Sequence, residues 1–455
     1  MSETLQVDDS EQIFFGQSLE LGYPIPQPPL YTWIAWSLFQ FMGSSLLAVS
    51  ILKYSLIFLT FIILWNVAKF YFKSKPSQYI VTLSLLLLPS FFWHMHQGFT
   101  HTILLGLAII LLLYTMLLTF NCPKTKNYIY LGIAIGIGMM SKYSFIIFAI
   151  PLLLASLSIK TYREKIINPK FIVTLLFLIL VSGPHYYWIY QNFLDISNDI
   201  NNKLNITSNS TINLETIFVF LKSSVGFLMP FAIVILYGLI KNNRKNKPRE
   251  VLNKSNEVLL LSRFFWIIGC SIVILSLFFN MPQVKVRWLH PVLMLFPLWS
   301  MVFISSNGII SQSISRVFYY LLGVLTVLVI IVRIIQNTIS PDLGYYGRLN
   351  IPISPALENI PSYLISENVL ATKDNFIGSH LLSKFQENSV LIGNKFFIRN
   401  KNSRKCLWIW SDEDKDKNFY SSVDPLTVEK NSITIFKGEF NYTLKYKLLE
   451  ECSVN

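Results

Sequence analysis

Long apolar segments separated by short polar connections occupy most of the chain between residues 44 and 337. A transmembrane helix needs about 20 mostly apolar residues, because the hydrocarbon core of a bilayer is roughly 30 Å thick. Segments that approach this length lie at 44–68, 78–94, 99–120, 127–141, 143–158, 170–188, 216–240, 262–280, 288–305 and 314–337. The pattern therefore predicts a polytopic α-helical membrane protein with about 10 spans, in which 44–337 is the transmembrane core.

The chain on either side of this core has a different pattern. Residues 1–43 combine acidic residues, prolines and aromatic residues, and the prolines that follow Gly22 exclude a regular helix there. The next segment, 30–42, is amphipathic and rich in Trp and Phe, which is typical of a helix at the membrane interface. Residues 338–455 contain short apolar runs bounded by Asn, Asp, Lys and Gly, a pattern of strands and turns. They predict a small extramembrane α/β domain of roughly 110 residues.

Composition agrees with a membrane protein. Hydrophobic residues make up 53% of the chain and charged residues only 14%, which excludes a soluble globular protein. The net charge of +13 would suit nucleic acid, but basic residues of membrane proteins collect in cytoplasmic loops. Alternate loops carry 17 Lys and Arg on one side and 4 on the other. With 10 spans, residues 1–43 and 338–455 both lie on the outer side, and no nucleic-acid partner is expected.

Four cysteines without a CxxC spacing argue against a zinc site or a disulfide scaffold. A disulfide between Cys406 and Cys452 is one alternative if the C-terminal region is outside. Residues 1–12 are acidic and polar, unlike a cleavable signal peptide. The acidic segment is therefore expected to begin close to the N-terminus.

The carboxylates Asp8, Asp9 and Glu11 suit a general base that deprotonates an acceptor hydroxyl. Two adjacent Asp residues point to different sides of an extended chain, so only one is expected to act. The competing interpretation is a helix start, with Asp9 or Ser10 as the N-cap. Both can hold, because a capped helix would fix the neighbouring carboxylate.

The few basic residues on the outer side are candidate ligands for an anion. Lys142 interrupts two apolar segments, and Lys285 and Arg287 precede another span. Basic residues on this side suggest a lipid phosphate at the membrane surface. Snorkelling of the side chains into the headgroup region is the alternative for each of them alone.

Three histidines, His94, His96 and His101, fall at the outer end of two segments. Together with carboxylates they can bind a divalent metal, although histidines at an interface are commonly just hydrogen-bonded. The aromatic run at 184–188, which contains His185, is most simply an interfacial anchor and alternatively a sugar subsite.

At this point the chain resembles the membrane glycosyltransferases of the GT-C fold that use polyprenyl-phosphate sugars. They include protein O-mannosyltransferases, lipid A aminoarabinose transferases and bacterial lipopolysaccharide-core transferases, to which the chain is most similar. The matching motifs are Asp8-Asp9-Ser10-Glu11-Gln12, Leu21-Gly22-Tyr23, Pro28-Pro29-Leu30-Tyr31-Thr32-Trp33, Thr100-His101-Thr102, Ser141-Lys142-Tyr143, Pro184-His185 and Arg287-Trp288-Leu289-His290-Pro291.

The resemblance implies an enzyme of the bacterial inner membrane with its active site on the outer (periplasmic) face. It would move a sugar from a polyprenyl phosphate to a hydroxyl of a lipid, glycan or protein, with inversion. Asp8 would be the base, with Asp9 as the runner-up, and Lys142 and Arg287 would bind the donor phosphate. The full set of substrate-binding candidates is Glu11, Gln27, His101, Lys142, Tyr143, His185, Lys285, Arg287 and His290.

Three departures from the family pattern matter. Asp9 stands where the family has Glu, and His101 stands where a second acid is often found, which weakens a metal-dependent mechanism. The family also has a spanning helix before the acidic loop, which residues 1–12 do not provide. The alternatives are therefore an inactive member truncated at the N-terminus, and a polytopic transporter or lipid flippase. Gly132, Gly136 and Gly138 are interpreted as close-packing positions and not as transporter hinges.

Overall fold

The computed structural model describes residues 4–25, 27–193, 214–243, 255–278, 288–305, 309–339, 350–397, 405–411, 431–437 and 440–449. The helices of these residues are α1 Val7–Phe15, α2 Leu30–Met42, α3 Leu46–Ala68, α4 Lys75–Leu83, α5 Pro89–Phe92, α6 Thr100–Asn121, α7 Thr125–Ser141, α8 Ile146–Ser158, α9 Lys160–Ile166, α10 Phe171–Gln191, α11 Leu214–Leu228, α12 Phe231–Asn243, α13 Asn256–Phe278, α14 His290–Leu293, α15 Phe296–Ile304, α16 Gln312–Thr338, α17 Ile353–Glu358, α18 Ser362–Ser366 and α19 Asn375–Lys384. The strands are β1 Val369–Thr372, β2 Val390–Ile392, β3 Lys395–Phe397, β4 Cys406–Ser411, β5 Asn431–Lys437 and β6 Phe440–Leu449.

The predicted apolar segments are mostly helical where the structure describes them. By length and composition, 5 helices can cross a membrane, and up to 8 if each bent helix pair counts as one span. The two helices of each bent pair are inclined to each other by 72°, 115° and 87°. The second helix of the first pair begins at Pro89, and Pro230 lies in the break of the third pair. Proline favours such breaks because it removes a backbone hydrogen-bond donor and ends a helix. The polytopic helical fold is confirmed, with fewer full-length spans in the described chain than the expected 10.

Contacts divide the chain into two compact units. The first unit contains Met1–Leu19, Thr32–Leu52 and Leu328–Asn455, and the second contains Glu20–Tyr31 and Lys53–Val327. The acidic N-terminal segment thus groups with the C-terminal region although more than 300 residues separate them. The division of the sequence into 1–43, 44–337 and 338–455 stays a prediction.

Within the second unit, α7 packs closely against α10. A Cβ added at Gly136 would lie 2.6 Å from Cβ of Val181, and one added at Gly132 would lie 2.9 Å from Cβ of Phe177. Real Cβ atoms do not approach other atoms this closely, so only glycine permits this helix separation. The prediction that these glycines are packing positions agrees with this contact.

Within the first unit, a mixed six-stranded sheet has the order β3-β2-β1-β4-β6-β5. Strand β1 is parallel to β2 and β4, and α19 provides the crossover from β1 to β2. One face of the sheet buries a cluster that includes Ala371, Leu391 and Trp408. The predicted α/β domain and its strands near 389–392, 406–410 and 432–436 are confirmed, as is the helix at Leu30–Met42.

Candidate active site

A basic side chain lies against the positive end of a buried helix in the second unit. Lys142 follows the last residue of α7 in extended conformation, and its Nζ donates to Oγ1 of Thr102 at 2.9 Å. Thr102 lies in the first turn of α6. Lys142, Thr102 and this first turn are called the cationic junction below. A lysine at the C-terminus of a helix is common, and Lys142 has this position on α7. Its ammonium, however, lies beside the N-terminus of α6, which is electrostatically unfavourable.

The backbone that leads into α6 is strained. Phe99 has φ 62°, in the left-handed region that residues with a side chain rarely adopt, and Gly98 has φ 137°. This turn starts the helix abruptly at Thr100, whose Oγ1 is buried without a hydrogen-bond partner in the described part of the chain. The first N–H groups of a helix also lack partners within the helix. Helix dipole, N–H groups, hydroxyl and ammonium together form a site that suits an anion.

His101 is fixed at this junction. Its ring is hydrogen-bonded to the backbone of Ser141, and the ring centroids of His101 and Tyr31 lie 5.7 Å apart. His101 is 6% exposed. The sequence motif around His101 therefore meets the motif around Lys142, as expected of one site.

His290 is fully buried, and neither ring nitrogen has a hydrogen-bond partner among the described residues. Its ring contacts Phe91 and Phe227 at centroid distances of 6.2 and 5.3 Å. It also lies within electrostatic range of Lys142 and His94. A buried polar group without a partner is costly, so His290 is kept as a candidate ligand-binding residue.

His185, in contrast, has both nitrogens engaged within the protein. Nδ1 donates to the carbonyl of Leu21 at 2.8 Å, so Nε2 accepts from the hydroxyl of Tyr143 at 3.2 Å. The rings of Tyr143 and His185 are stacked, 6.0 Å apart. His185 lies on α10 and thus holds the segment around Leu21 against this helix. It also bonds to Tyr143, the residue that follows Lys142.

The segment 20–23 is closely packed at this place. A Cβ added at Gly22 would overlap the indole of Trp188, so glycine is needed for this approach. Burial raises the pKa of Tyr23, and its hydroxyl accepts from the backbone N–H of Glu20 at 3.3 Å. The Leu21-Gly22-Tyr23 motif is therefore explained by packing.

The acidic helix α1 lies in the first unit. It begins at Val7, with Gln6 as an N-cap that makes no side-chain hydrogen bond. The expectation of a cap at Asp9 or Ser10 was wrong: the helix starts about one turn earlier and includes both residues. Adjacent helical residues point about 100° apart, so Asp9 is buried at 3% exposure while Asp8 is only half-buried.

The other candidates of the N-terminal motifs lie in both units. Glu11 is half-buried on α1, and the neighbouring Gln12 is fully buried and accepts from Oγ1 of Thr32 at 2.8 Å. Gln27, in the second unit, has a buried Oε1 without a hydrogen-bond partner among the described residues. Gln27 therefore remains a ligand candidate.

The histidines proposed for a metal are used in other contacts. His94 stacks on Phe99 at a centroid distance of 5.6 Å, and His96 Nδ1 lies 3.2 Å from the hydroxyl of Tyr54. No group of three or more His, Cys, Asp or Glu residues that could hold a metal ion occurs among the residues described. Lys285 and Arg287 lie outside the described residues. Cys406 is disulfide-bonded, and Cys452, its predicted partner, also lies outside them.

One further candidate, Lys53, was not identified from the sequence. It lies within the membrane-spanning helix α3 and is only 4% exposed. Of the Asp, Glu, Lys and Arg residues that the structure describes, Asp9 and Lys53 are the two that are buried. A buried charge in a span usually marks a functional position. The signal was present in the sequence as a single lysine within an otherwise apolar run.

Comparison with known proteins identifies the class of enzyme. The model of the dolichyl-phosphate-mannose-protein mannosyltransferase family matches residues 26–188, the segment that includes the cationic junction. Two lipopolysaccharide core galacturonosyltransferases of Rhizobium johnstonii, RgtB and RgtA, are 28% and 26% identical to this chain. The alignments cover 78% of this chain and 72% of RgtB, and 86% of this chain and 78% of RgtA.

The fold is similar to that of ArnT from Cupriavidus metallidurans, whose crystal structure contains undecaprenyl phosphate. The TM-score is 0.57 at 11% identity, over 98% of this chain and 94% of ArnT. The protein is a membrane glycosyltransferase of the GT-C fold. The predicted enzyme class and its resemblance to lipopolysaccharide-core transferases are confirmed. The family model matches residues 26–188 of the glycosyltransferase and does not include α1 or His290.

Proposed function

We propose that the protein transfers a sugar from a polyprenyl phosphate to a hydroxyl of the lipopolysaccharide core, on the outer face of the bacterial inner membrane. The observation that carries this proposal is the ammonium of Lys142 at the N-terminus of α6. Two positive features placed together suit an anion, and a phosphate diester at the membrane surface is such an anion.

His290 and Thr100 support the same ligand. Both contribute buried polar atoms without hydrogen-bond partners among the described residues. Thr100 belongs to the first turn of α6, and His290 lies on α14, which packs against α6. A phosphate offers oxygen acceptors for the Thr100 hydroxyl and for a ring N–H of His290. The long apolar helices around them suit the polyprenyl chain of the donor.

The proposed transfer requires one general base and one phosphate-binding site. The acceptor oxygen forms a bond to the anomeric carbon, and the bond from that carbon to the phosphate oxygen breaks. The acceptor proton passes to a carboxylate, and the leaving polyprenyl phosphate gains one negative charge. Lys142 stabilises that developing charge. A single displacement inverts the anomeric configuration.

Asp8 is the proposed base. It is half-buried and therefore accessible to an acceptor, whereas Asp9 belongs to the buried face of α1. The proposed acceptor class is supported by the similarity to RgtA and RgtB, which are named lipopolysaccharide core galacturonosyltransferases. The outer location is supported by the charge asymmetry of the loops.

The test is a transfer assay with the full chain in proteoliposomes. Undecaprenyl phosphate carrying a labelled galacturonosyl group is the donor, and lipopolysaccharide core oligosaccharide on lipid A is the acceptor. We expect label in the acceptor and a product linkage opposite in configuration to that of the donor, read by NMR. Undecaprenyl phosphate alone should compete with the donor.

Three outcomes would overturn parts of this proposal. A retained configuration would exclude single displacement. Absence of transfer from this donor and from other labelled polyprenyl-phosphate hexoses would overturn the donor class. Movement of labelled donor across the bilayer without transfer would support the flippase alternative instead.

A further inference from the structure

We propose that His380 of the C-terminal α/β domain is a positioning residue for the proposed catalytic base, an inference that rests on the proposed function. His380 lies on α19, and its ring bonds to the segment that leads into the acidic helix α1. All residues of this argument belong to the first unit.

The geometry of the imidazole defines which nitrogen carries the proton. Nδ1 lies 2.8 Å from the carbonyl of Phe376, one turn earlier on α19, and must donate to it. Nε2 is then an acceptor, and the backbone N–H of Leu5 donates to it at 3.1 Å. His380 is 3% exposed and Leu5 is 1% exposed, so water does not replace this bond.

The neighbouring residue of α19 makes a second contact to the same segment. The hydroxyl of Ser379 lies 2.9 Å from the carbonyl of Ser10 and 2.7 Å from that of Asn375, and its single hydrogen is shared between them. Ser379 is fully buried. Two consecutive residues of one helix therefore hold two points of the acidic segment.

These two points bracket the candidate carboxylates. Leu5 precedes the first turn of α1 and Ser10 lies within it, with Asp8 and Asp9 between them. A third bond joins the start of the segment to the same domain, because Oγ1 of Thr4 donates to the carbonyl of Ile351 at 2.8 Å. The rotation of α1 about its axis, and hence the direction of the Asp8 side chain, depends on these bonds.

The other end of α1 is held by strand β3. The rings of Phe14 and Phe397 meet edge to face at 5.5 Å, and Nζ of Lys395 lies over the rings of Phe14 and Phe15 at 5.5 and 5.4 Å. The helix is thus attached to the α/β domain at both ends.

The acidic helix needs such support. It has 9 residues and no side-chain N-cap bond, and isolated helices shorter than about 12–15 residues are marginal in water. Its conformation therefore comes from packing. The C-terminal domain therefore orients the proposed base, and His380 bonds directly to the backbone that precedes Asp8.

The test compares His380→Ala with two conservative variants in the full-length protein. Gln places an amide oxygen close to the position of Nε2 and can accept from Leu5, whereas Asn is too short to do so. We expect His380→Ala and His380→Asn to lower kcat about tenfold with the donor KM unchanged within twofold. His380→Gln should recover most of kcat.

A matched control separates positioning from general damage to α19. Asp374 caps this helix through bonds from the N–H groups of Phe376 and Ile377 at 2.5 and 3.0 Å. Asp374→Ala weakens the same helix and leaves the bond to Leu5 in place. Its kcat should stay within twofold of the wild type. Hydrogen–deuterium exchange of residues 4–15 should rise in His380→Ala and not in Asp374→Ala.

The outcomes are distinct. An unchanged kcat in His380→Ala, or equal losses in His380→Ala and Asp374→Ala without rescue by Gln, would overturn the positioning role. If the wild type transfers no sugar from the labelled donor, the proposed function fails and the exchange measurement alone decides. In that case, raised exchange of 4–15 in His380→Ala supports the anchoring of α1 by His380, and unchanged exchange overturns it.

Discussion

The acidic helix α1 and the cationic junction are held in place by different kinds of contact. The acidic helix is short and its N-cap Gln6 makes no side-chain hydrogen bond. The segment is attached to residues more than 340 positions away, such as Ile351 and His380. The cationic junction lies between two long apolar helices, and the Lys142–Thr102 bond spans 40 positions. The first arrangement depends on a separate folded domain, and the second depends on helix packing within the transmembrane core.

The two regions should therefore be sensitive to different kinds of substitution. A base must point accurately at an acceptor hydroxyl, so its activity depends on orientation. A phosphate site acts through charge, and a cation and a helix dipole tolerate small displacements better. Substitutions at the two regions should therefore fail in different ways, which the following changes test from the largest effect to the smallest.

Asp8→Asn should have the largest effect. Loss of a general base lowers kcat by about 10²–10⁴-fold, and removal of the charge should leave binding of undecaprenyl phosphate intact. Asp9→Asn is the control, because Asp9 is buried and its change should act mainly on the stability of α1. Transfer kinetics with the labelled donor measure both. Intact transfer by Asp8→Asn would show that another group is the base.

Lys142→Ala should lower kcat/KM by about 10²–10³-fold, because it removes the charge that stabilises the leaving phosphate. Binding of undecaprenyl phosphate should weaken in parallel, and Lys142→Arg should retain part of it. Lys126→Ala makes the same change at the opposite end of α7 and should be neutral. Equal behaviour of the two alanine variants would remove Lys142 from the phosphate site.

His290→Leu should separate function from stability. The donor KM should rise about tenfold, since a ligand for the phosphate is lost. The apparent melting temperature of the ligand-free protein in detergent should rise, because an apolar side chain replaces a buried imidazole without hydrogen-bond partners among the described residues. His290→Gln should lack this gain. A lower melting temperature in His290→Leu would indicate a structural role.

Tyr143→Phe should have the smallest effect. The stacked ring remains, but the bond to Nε2 of His185 is lost, which costs about 1 kcal/mol of stability. We expect a decrease in kcat/KM of at most about fivefold, by the relation of about 1.4 kcal/mol per tenfold. Tyr130→Phe, at a half-exposed position of α7, is the control. A large loss of activity would instead place the Tyr143 hydroxyl in contact with substrate.

Several elements followed directly from local sequence. The apolar runs predicted the helices because the length of a span is dictated by the bilayer, and the helix at Leu30–Met42 was found with its bounds unchanged. The strands of the α/β domain followed from short apolar runs between turn residues. The helix start at Val7 was missed because Gln6 is a poor cap, and packing on α19 overrides that local signal.

The membrane fold and the residue types from which a base and a phosphate site can be made followed from the amino-acid sequence alone, and the enzyme class followed from the resemblance of its motifs to a known family. These properties depend on composition, on local periodicity and on short motifs. The folded structure was needed to show that Lys142 meets the N-terminus of α6, that His290 is buried without hydrogen-bond partners among the described residues, and that His380 bonds to the segment ahead of the acidic helix. Such contacts join residues far apart in the chain, and no local pattern specifies which distant partner a polar side chain will find.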